Sequence, residues 1–534
     1  MPLKPIVLQG EQKRVLFLQV TEPIQIKGVA GSGKTTVALY RAKHILDTQS
    51  NLFQEATVAI FTYNKTLVKY INAIKPQISG GYQRDSDEIS PTISAGINNV
   101  KVFNFDQWAY SFITKHRPNL KPLNQRTVKG TNQKNILLSI ISKFSHEKIV
   151  SNKSSEFFLE EISWMKGKVY NSKAEYLDVV RSGRGTNDRV TKADKEIIWS
   201  IYSEYNSYLE KWNLLDFSDY ALECLKILRD NSNIIRPFTH IIIDEAQDLS
   251  KAQILVISQL VSDETKSISI IADAAQRIYK SGFTWGEVGL NVKGGRTIAF
   301  KKNYRNTKQI AFAAKSLLEK ETDNEDFTEI EPVREGQNKP IIGNFINWKE
   351  QSYFLLMQLF ILKAQGNISS TVILHRSHSG LKNIKLFLEA NNFKVQELLK
   401  EDDIDFESNS INVCTLSSVK GLEFENVFII DLNDDVIPYP LGFNDVNDEF
   451  HISTERRLLY TSMTRARERL FLFTSSNIPS RYINEIESSF VDNIFTFEGL
   501  KHFLNVDKIE FNNSPVRNKD NTLLLWSYDN EKKY

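Results

Sequence analysis

The chain has 534 residues, of which 67 are Lys or Arg and 65 are Asp or Glu, so its formal net charge at pH 7 is +2. That balance gives no overall attraction to nucleic acid, and such binding would need a local groove. The presence of only two cysteines excludes a cysteine zinc cluster and argues against a disulfide framework. No stretch approaches the ~20 apolar residues of a membrane span, and residues 1–20 lack a signal-peptide core. A multidomain cytoplasmic protein without a membrane partner is therefore expected.

The first motif along the chain has the pattern of a phosphate-binding loop. It stands between the strand-like stretch 24–26 and the helix-like run 36–46, and consists of Gly28, Val29, Ala30, Gly31, Ser32, Gly33, Lys34 and Thr35. Glycines in this pattern let backbone N–H groups turn toward nucleotide phosphates, while the lysine adds positive charge and the threonine hydroxyl can bind Mg²⁺. The pattern therefore predicts a nucleotide site.

Segments of different character follow one another along the chain. Residues 77–96 are rich in Ser, Gly and Asp and indicate a surface loop. Elsewhere, apolar residues alternate between strand-like runs and helical spacing, which is typical of α/β folds with parallel sheets. The sequence predicts a first lobe in two parts (1–117 and 213–289), a helical insertion (118–212), a second lobe (290–480) and a C-terminal extension (481–534).

Two acidic residues follow a buried strand in the second part of the first lobe. Three isoleucines at 241–243 lead into Asp244 and Glu245, so the strand would deliver both carboxylates at its C-terminal end. Asp244 is expected to hold Mg²⁺, and Glu245 to orient or deprotonate the water that attacks the terminal phosphate. Such a run on its own is more often a strand entering a solvated loop, but its combination with the phosphate loop favours an ATPase.

Several further motifs resemble those of the superfamily 1 helicases of the UvrD, Rep and PcrA type, in the same order along the chain. The segment 8–12 is similar to the adenine-reading motif, 303–306 to the Asn-Tyr-Arg motif, and 455–466 to the last motif of that family. The resemblance implies two RecA-like parallel-sheet lobes with an ATP cleft between them, and ATP and Mg²⁺ as cofactors. Besides the phosphate loop, it implies an ATP site made of Gln12, Thr36, Gln276, Arg305, Glu423 and Arg465.

The resemblance also implies a path for single-stranded nucleic acid, with DNA favoured over RNA. Aromatic faces stack on any base without sequence preference, which suits the rings at 279, 283 and 285. The alternative for these rings is core packing. The residues that the resemblance places on this path are Thr62, Asn64, Lys65, Asn104, Phe105, Tyr279, Phe283, Trp285, Arg376, Thr415 and Ser417. This chain departs from the family pattern at one of these positions, because it has Ser417 where the family commonly has histidine.

One part of the larger family members has no room in this chain. They insert a helical subdomain between the motifs around Arg376 and Thr415, and these two residues are only 39 positions apart here. Because an independent domain needs at least ~50 residues, the insertion is predicted to be absent or vestigial. Motor activity is therefore better supported than robust strand separation.

Two functional hypotheses follow from these motifs. The leading one is an ATP-dependent translocase or helicase on single-stranded DNA, with 3′ to 5′ polarity implied by the resemblance alone. The alternative is an ATP-gated switch or subunit that acts with a partner nuclease, for example in repair or antiphage defence. A small-molecule kinase or GTPase is disfavoured because it would leave Arg305, Arg465 and the segment 420–423 unexplained.

Overall fold

A computed structural model of the chain describes most of its length. Within the described residues, no helix is both long enough and apolar enough to cross a membrane. Gln276 and Tyr279, two of the candidate site residues, lie outside the described residues. The described ranges are 8–50, 56–78, 100–118, 121–170, 172–179, 190–231, 234–273, 283–320, 330–398, 408–439, 449–495, 516–517 and 523–525.

The first lobe is built on a sheet whose described strands all run parallel. These strands are β1 (Ile24–Gly28), β2 (Val58–Thr62), β3 (Lys101–Asn104), β4 (His240–Ile243), β5 (Ser267–Ala272) and β6 (Thr297–Phe300). Their spatial order is β3, β2, β4, β5, β1, β6. The first helices that cover the sheet are α1 (Lys34–Gln49), α2 (Lys65–Ile74) and α3 (Phe105–His116). The isoleucines of β4 are fully buried, as expected for a strand covered on both faces.

Helices fill the described part of the segment between β3 and β4. The insertion contains α4 (Leu123–Arg126), α5 (Gly130–Ile141), α6 (Lys148–Asn152), α7 (Ser155–Lys168), α8 (Lys173–Asp178) and α9 (Lys192–Lys211). These helices have a hydrophobic core of their own, in which Leu137, Phe158 and Ile201 are buried. Two further helices return the chain to the first lobe, α10 (Phe217–Asp230) and α11 (Lys251–Ser258).

The second lobe begins with a short parallel pair, β7 (Lys302–Thr307) and β8 (Glu331–Arg334), joined through α12 (Lys308–Leu318). The described strands of its main sheet also run parallel. They are β9 (Ile341–Phe345), β10 (Thr371–His375), β11 (Val395–Glu397), β12 (Ile411–Thr415), β13 (Phe424–Ile429), β14 (Ala466–Ser475) and β15 (Asp492–Phe495). Their spatial order is β11, β12, β10, β13, β14, β9, β15.

The remaining elements cover or follow this second sheet. They are α13 (Trp348–Ala364), α14 (His378–Ala390), α15 (Glu449–Met463), α16 (Arg481–Glu485) and a short antiparallel pair formed by β16 (Val516–Arg517) and β17 (Leu523–Leu525). The predicted α/β fold with two parallel-sheet lobes is confirmed. Strand β6 belongs to the first sheet although it lies beyond residue 289, the predicted end of the first lobe. Strand β15 belongs to the second sheet although it lies beyond residue 480, the predicted end of the second lobe. We therefore propose that the boundary between the lobes lies at Lys301.

The connection between β10 and β12 is short and belongs to the second lobe. Its described residues form α14, which packs on the sheet through Leu381 and Leu388, and β11, which pairs in parallel with β12. Residues 399–407 of this connection lie outside the described ranges. The described part of the connection therefore extends the sheet and covers it.

Parallel strands place all of their carboxyl ends at one edge of a sheet, and that edge positions the candidate residues of the first lobe. The phosphate loop leaves β1, and Asp273 follows β5. Asn64 follows β2, Asn104 ends β3, and Asp244 follows β4. Residues that are distant in the sequence are brought together at this edge.

A buried group of charges fixes the insertion to the first lobe. Lys166 of α7 is 1% exposed, and its ammonium lies 2.9 Å from Asp216 Oδ2 and 2.6 Å from Asp219 Oδ1. The Tyr205 hydroxyl of α9 donates to Asp216 Oδ2 over 3.2 Å. Burial and the neighbouring Asp216 raise the pKa of Asp219 to about 6. Burial alone would lower the pKa of Lys166, but the two carboxylates outweigh it and raise that pKa.

Replacing Lys166 by Met should destabilise the folded chain by about 3–5 kcal/mol, because two buried carboxylates would lose their counter-charge. The shift in the urea unfolding midpoint of the full chain measures this effect. The control is Lys143→Met, which removes an ion pair with Glu204 whose side chains are 62% and 40% exposed. The control should change the stability by less than about 1 kcal/mol. Similar shifts for the two variants would contradict the prediction.

Candidate ATP site between the lobes

The phosphate loop has a backbone that only glycine adopts readily. Gly31 and Gly33 have φ angles of 75° and 76°, in the left-handed region. A Cβ atom on Gly28 would lie 2.6 Å from Ser32 Oγ, so the loop closes tightly on itself. Ser32 Oγ is buried and has no hydrogen-bond partner among the described residues. Since buried polar atoms are normally paired, this atom and the tight cradle fit a loop that receives phosphate oxygens.

Lys34 places a positive charge inside the loop. It begins α1, and its ammonium donates to Gly28 O over 3.0 Å and to Val29 O over 3.1 Å. The same ammonium forms a buried ion pair with Asp273 Oδ2 at 3.0 Å. These contacts hold the lysine within the loop, and its binding of phosphate oxygens remains a prediction.

Thr35, the last residue of the phosphate loop, lies beside Asp244. The Thr35 hydroxyl donates to Asp244 Oδ2 over 2.9 Å, across 209 positions of sequence. Burial, followed by the neighbouring Glu245, raises the pKa of Asp244 to about 7. A hydroxyl and a carboxylate suit Mg²⁺, which keeps several waters and takes further oxygens from phosphates.

Glu245 is oriented by the residues that follow it. Its φ angle is 54°, and the Gln247 side-chain amide donates to its carboxylate. The side-chain oxygen Oε1 of Gln247 accepts from the Asp273 N–H over 3.0 Å. Gln247 therefore fixes the carboxylate to the end of β5, a role that the sequence did not reveal although Gln247 stands within the same acidic motif.

Positive charge from both lobes surrounds Glu245. Lys420 of the second lobe is 3% exposed, and its ammonium lies 3.7 Å from Glu245 Oε2 and donates to Asp248. Burial would raise the pKa of Glu245, but Lys420, Lys34 and then Arg465 outweigh it and lower the pKa to about 2. Glu245 is therefore ionised at neutral pH. Lys420 begins the segment 420–423, and its contact with the acids cannot be read from the sequence.

Arg465 and Arg305 lie on the second-lobe side of the site. Arg465 is 1% exposed, and its Nε donates to Thr461 O over 2.8 Å. Burial, and then Arg305, lower the pKa of Arg465 to about 10. Arg305 donates to the Glu423 carboxylate. Burial would raise the pKa of Glu423, but Arg305 and a further arginine outweigh it and lower that pKa.

The start of the second lobe contacts the phosphate loop directly. The backbone N–H groups of Tyr304 and Arg305 donate to Gly31 O over 3.0 and 3.2 Å. A Cβ on Gly31 would lie 2.1 Å from Asn303 Oδ1, so the two segments are in close contact. On the other side of the loop, Gln12 Nε2 donates to Ser32 O over 2.7 Å. These contacts bring Gln12 and the start of the second lobe against the phosphate loop.

Two of the nucleic-acid candidates have buried side chains in the first lobe. Phe105 is 1% exposed and lies in the hydrophobic core, where its ring is 6.1 Å from that of Trp108. Asn104 is 2% exposed, caps α3 by accepting from Gln107 N over 3.2 Å, and donates to Tyr63 O. Both side chains contribute to the fold of the first lobe, and their contact with nucleic acid remains a prediction.

The described first-lobe candidates that remain differ in their exposure. Lys65 is exposed at the start of α2, whereas Thr62 at the end of β2 is buried. Phe283 and Trp285 are half-buried, with ring centroids 5.6 Å apart at an angle of 88°. Their rings pack against the core of the first lobe while part of each stays open, so base stacking remains a prediction.

The second-lobe candidates lie at the carboxyl ends of β10 and β12. Arg376 forms a two-point ion pair with Glu455, with distances of 2.7 and 2.8 Å, and its guanidinium lies 4.8 Å from the centre of the Tyr439 ring. The Thr415 hydroxyl is hydrogen-bonded to that of Ser417 at 3.1 Å. Contacts of these side chains with nucleic acid remain predictions.

The sheet order, the phosphate loop and the acids after β4 define a phosphate-loop nucleotide-binding protein whose site is shared by two lobes. Residues 8–285 match the model of the UvrD/REP helicase N-terminal domain. Residues 298–398 and 394–477 match that of the UvrD-like helicase C-terminal domain. The chain belongs to the UvrD/Rep helicase family, as its motifs predicted, and its two parallel-sheet lobes are the RecA-like lobes of that family.

Individual relatives are distant and longer than the aligned part. The chain is 25% identical over 304 residues to a probable DNA helicase of Mycoplasma pneumoniae, covering 53% of this chain and 54% of that protein. It is 25% identical over 325 residues to the ATP-dependent DNA helicase srs2 of Schizosaccharomyces pombe, covering 58% and 34%. It is 21% identical over 319 residues to the ATP-dependent DNA helicase PcrA of Leuconostoc citreum, covering 57% and 38%. The matches thus span about half or less of the length of these relatives.

Replacing Gly31 by Ala should weaken ATP binding at least ~10-fold, because the new Cβ would meet Asn303 in a backbone conformation that L-residues rarely adopt. Titration with a fluorescent ATP analogue measures the affinity. The control is Gly366→Ala, where φ is 73° and no described atom lies within 4 Å of the new Cβ. This control carries similar backbone strain without the contact, so a Gly31→Ala variant that binds like the control would contradict the prediction.

Proposed function

We propose that the chain is an ATP-driven translocase of single-stranded DNA, with helicase activity where a duplex lies ahead of it. The observation that carries this proposal is the shared nucleotide site. Glu245 of the first lobe lies 3.7 Å from Lys420 of the second, and the second lobe also supplies Arg305 and Arg465. A ligand at the phosphate loop would therefore change the contact between the lobes.

The residues of the site suit hydrolysis of the terminal phosphate. Ionised Glu245 can orient water and accept its proton. Lys34, Arg305 and Arg465 are proposed to stabilise negative charge that spreads over the phosphoryl oxygens. Mg²⁺ bound by Thr35 and the nearby carboxylate would neutralise phosphate charge. Gln276, outside the described residues, is proposed to sense the terminal phosphate.

Movement follows if the two lobes close with nucleotide and separate after hydrolysis. Loss of the terminal phosphate removes negative charge from between cations on opposite lobes, so the preferred separation of the lobes changes. Nucleic acid that contacts Lys65 on one lobe and Arg376 and Ser417 on the other would be displaced by this change. Single-stranded DNA is the proposed track because the relatives are named DNA helicases. The 3′ to 5′ polarity is proposed from the family resemblance.

A second candidate function is that of an ATP-gated subunit that acts with a partner such as a nuclease. The observation that favours it is the short connection between β10 and β12, whose described residues form only α14 and β11. A chain with little room to engage duplex there would act on a partner instead. Translocation without any partner protein separates this candidate from the stand-alone motor.

Two substitutions test the ATPase. Lys34→Ala should abolish measurable hydrolysis by weakening phosphate binding, whereas Glu245→Gln should lower kcat by about 10²–10⁴-fold and still bind ATP. Steady-state hydrolysis with and without single-stranded DNA measures both effects. Wild-type turnover that single-stranded DNA does not stimulate would contradict the translocase.

Displacement of streptavidin from biotinylated oligonucleotides tests the direction of movement. A 3′ to 5′ motor should displace streptavidin from a 5′-biotin end faster than from a 3′-biotin end. The Glu245→Gln variant is the control for passive release. Faster displacement from the 3′ end would reverse the proposed polarity, and ATP binding without displacement at either end would favour the partner-dependent subunit.

A further inference from the structure

One loop of the second lobe connects its two functional edges. Thr415 ends β12 at the carboxyl edge of the sheet, and Phe424 begins β13 at the opposite edge. The residues between them, 416–423, are called the crossing loop. Lys420 in this loop reaches Glu245 of the ATP site. The crossing loop therefore runs from the candidate nucleic-acid edge to the site of hydrolysis.

Asn64 of the first lobe binds the crossing loop. Its side-chain Nδ2 donates to Ser418 O over 3.3 Å and to Lys420 O over 3.1 Å. Its Oδ1 accepts from Thr66 N over 2.9 Å and so caps α2. A carboxamide can do both because it has one acceptor oxygen and two donor hydrogens. The first turn of α2 is thus fixed to the backbone that carries Lys420.

An apolar contact supports the same connection. Leu67, in the first turn of α2, is fully buried. A Cβ on Gly421 would lie 2.7 Å from Leu67 Cδ1, and the φ angle of Gly421 is 84°. The backbone of the crossing loop therefore lies directly against the leucine side chain. Polar and apolar contacts from one helical turn thus hold the same short loop.

We propose that Asn64 is an interlobe positioning residue, which holds the crossing loop so that Lys420 stays against Glu245 when the lobes close. Both ends of its carboxamide have protein partners, so this role replaces the contact with nucleic acid expected from the sequence. Lys65, the next residue, is exposed at the same turn. Nucleic acid seated on this turn would shift Asn64 and, through it, Lys420. This last step rests on the proposed translocase function.

Two variants separate the interlobe contact from the helix cap. Asn64→Ser and Asn64→Asp both keep a good N-cap, but neither presents the amide donor. We expect stimulation of ATP hydrolysis by single-stranded DNA to fall about tenfold in both, at saturating DNA. The matched control is Asn347→Ser, which makes the same change at the cap of α13, where Asn347 accepts from Glu350 N over 3.1 Å. The control should keep its stimulation.

A distance measurement tests the contact without hydrolysis. Dyes on cysteines introduced at Ile235 and Leu386, which are 84% and 56% exposed, report the separation of the lobes by energy transfer. Both native cysteines are buried, which favours selective labelling. A non-hydrolysable ATP analogue should change the transfer efficiency in the wild type, and at least half of that change should be lost in both Asn64 variants.

The two measurements have distinct failures. Wild-type stimulation and a wild-type change in energy transfer in both Asn64 variants would overturn the inference, because the cap alone would then explain Asn64. A wild-type protein without DNA stimulation would overturn the proposed translocase, while the energy-transfer comparison would still decide the role of Asn64. Loss in Asn64→Ser with full retention in Asn64→Asp would also overturn it, since aspartate lacks the donor.

Discussion

The ion pairs of Lys420 with Glu245 and Asp248 are the interaction on which the arrangement of the two lobes depends. Three charged groups lie almost completely buried at the boundary of the two sheets, so each lobe supplies the charge that the other needs. Removing one partner would leave an uncompensated buried charge, which is strongly unfavourable. Electrostatic complementarity therefore stabilises this arrangement of the lobes, which is sensitive to any further charge that enters between them.

Parallel strands explain why these charges meet. In the first lobe, the phosphate loop and the acids after β4 lie at the carboxyl edge of one sheet. In the second lobe, Glu423 and Arg465 stand just before β13 and β14, at the amino edge of the other sheet. The ATP site thus joins opposite edges of two sheets. The carboxyl edge of the second sheet is left for Arg376 and Thr415, the nucleic-acid candidates.

Local sequence patterns were enough to predict the positions of residues that stand at the end of a strand or the start of a helix. Lys34 and Thr35 follow a strand and begin a helix, and Glu245 follows a buried strand, so short stretches of sequence determine where they lie. Phe105 shows the limit, because a motif gives the position of a residue but not whether its side chain faces the core. The contact of Asn64 with Lys420 joins residues 356 positions apart, and only the packing of the two lobes creates it.

With the lobe boundary proposed at Lys301, a single residue connects the two sets of strands in the described chain. β6 ends at Phe300 and is bonded to the start of the phosphate loop, where Val29 N donates to Phe300 O, and β7 begins at Lys302. In the proposed motor, the lobes would turn about this point without sliding far apart. Because this pivot lies beside the phosphate loop, a small displacement at the loop would produce a larger displacement at the far end of each lobe.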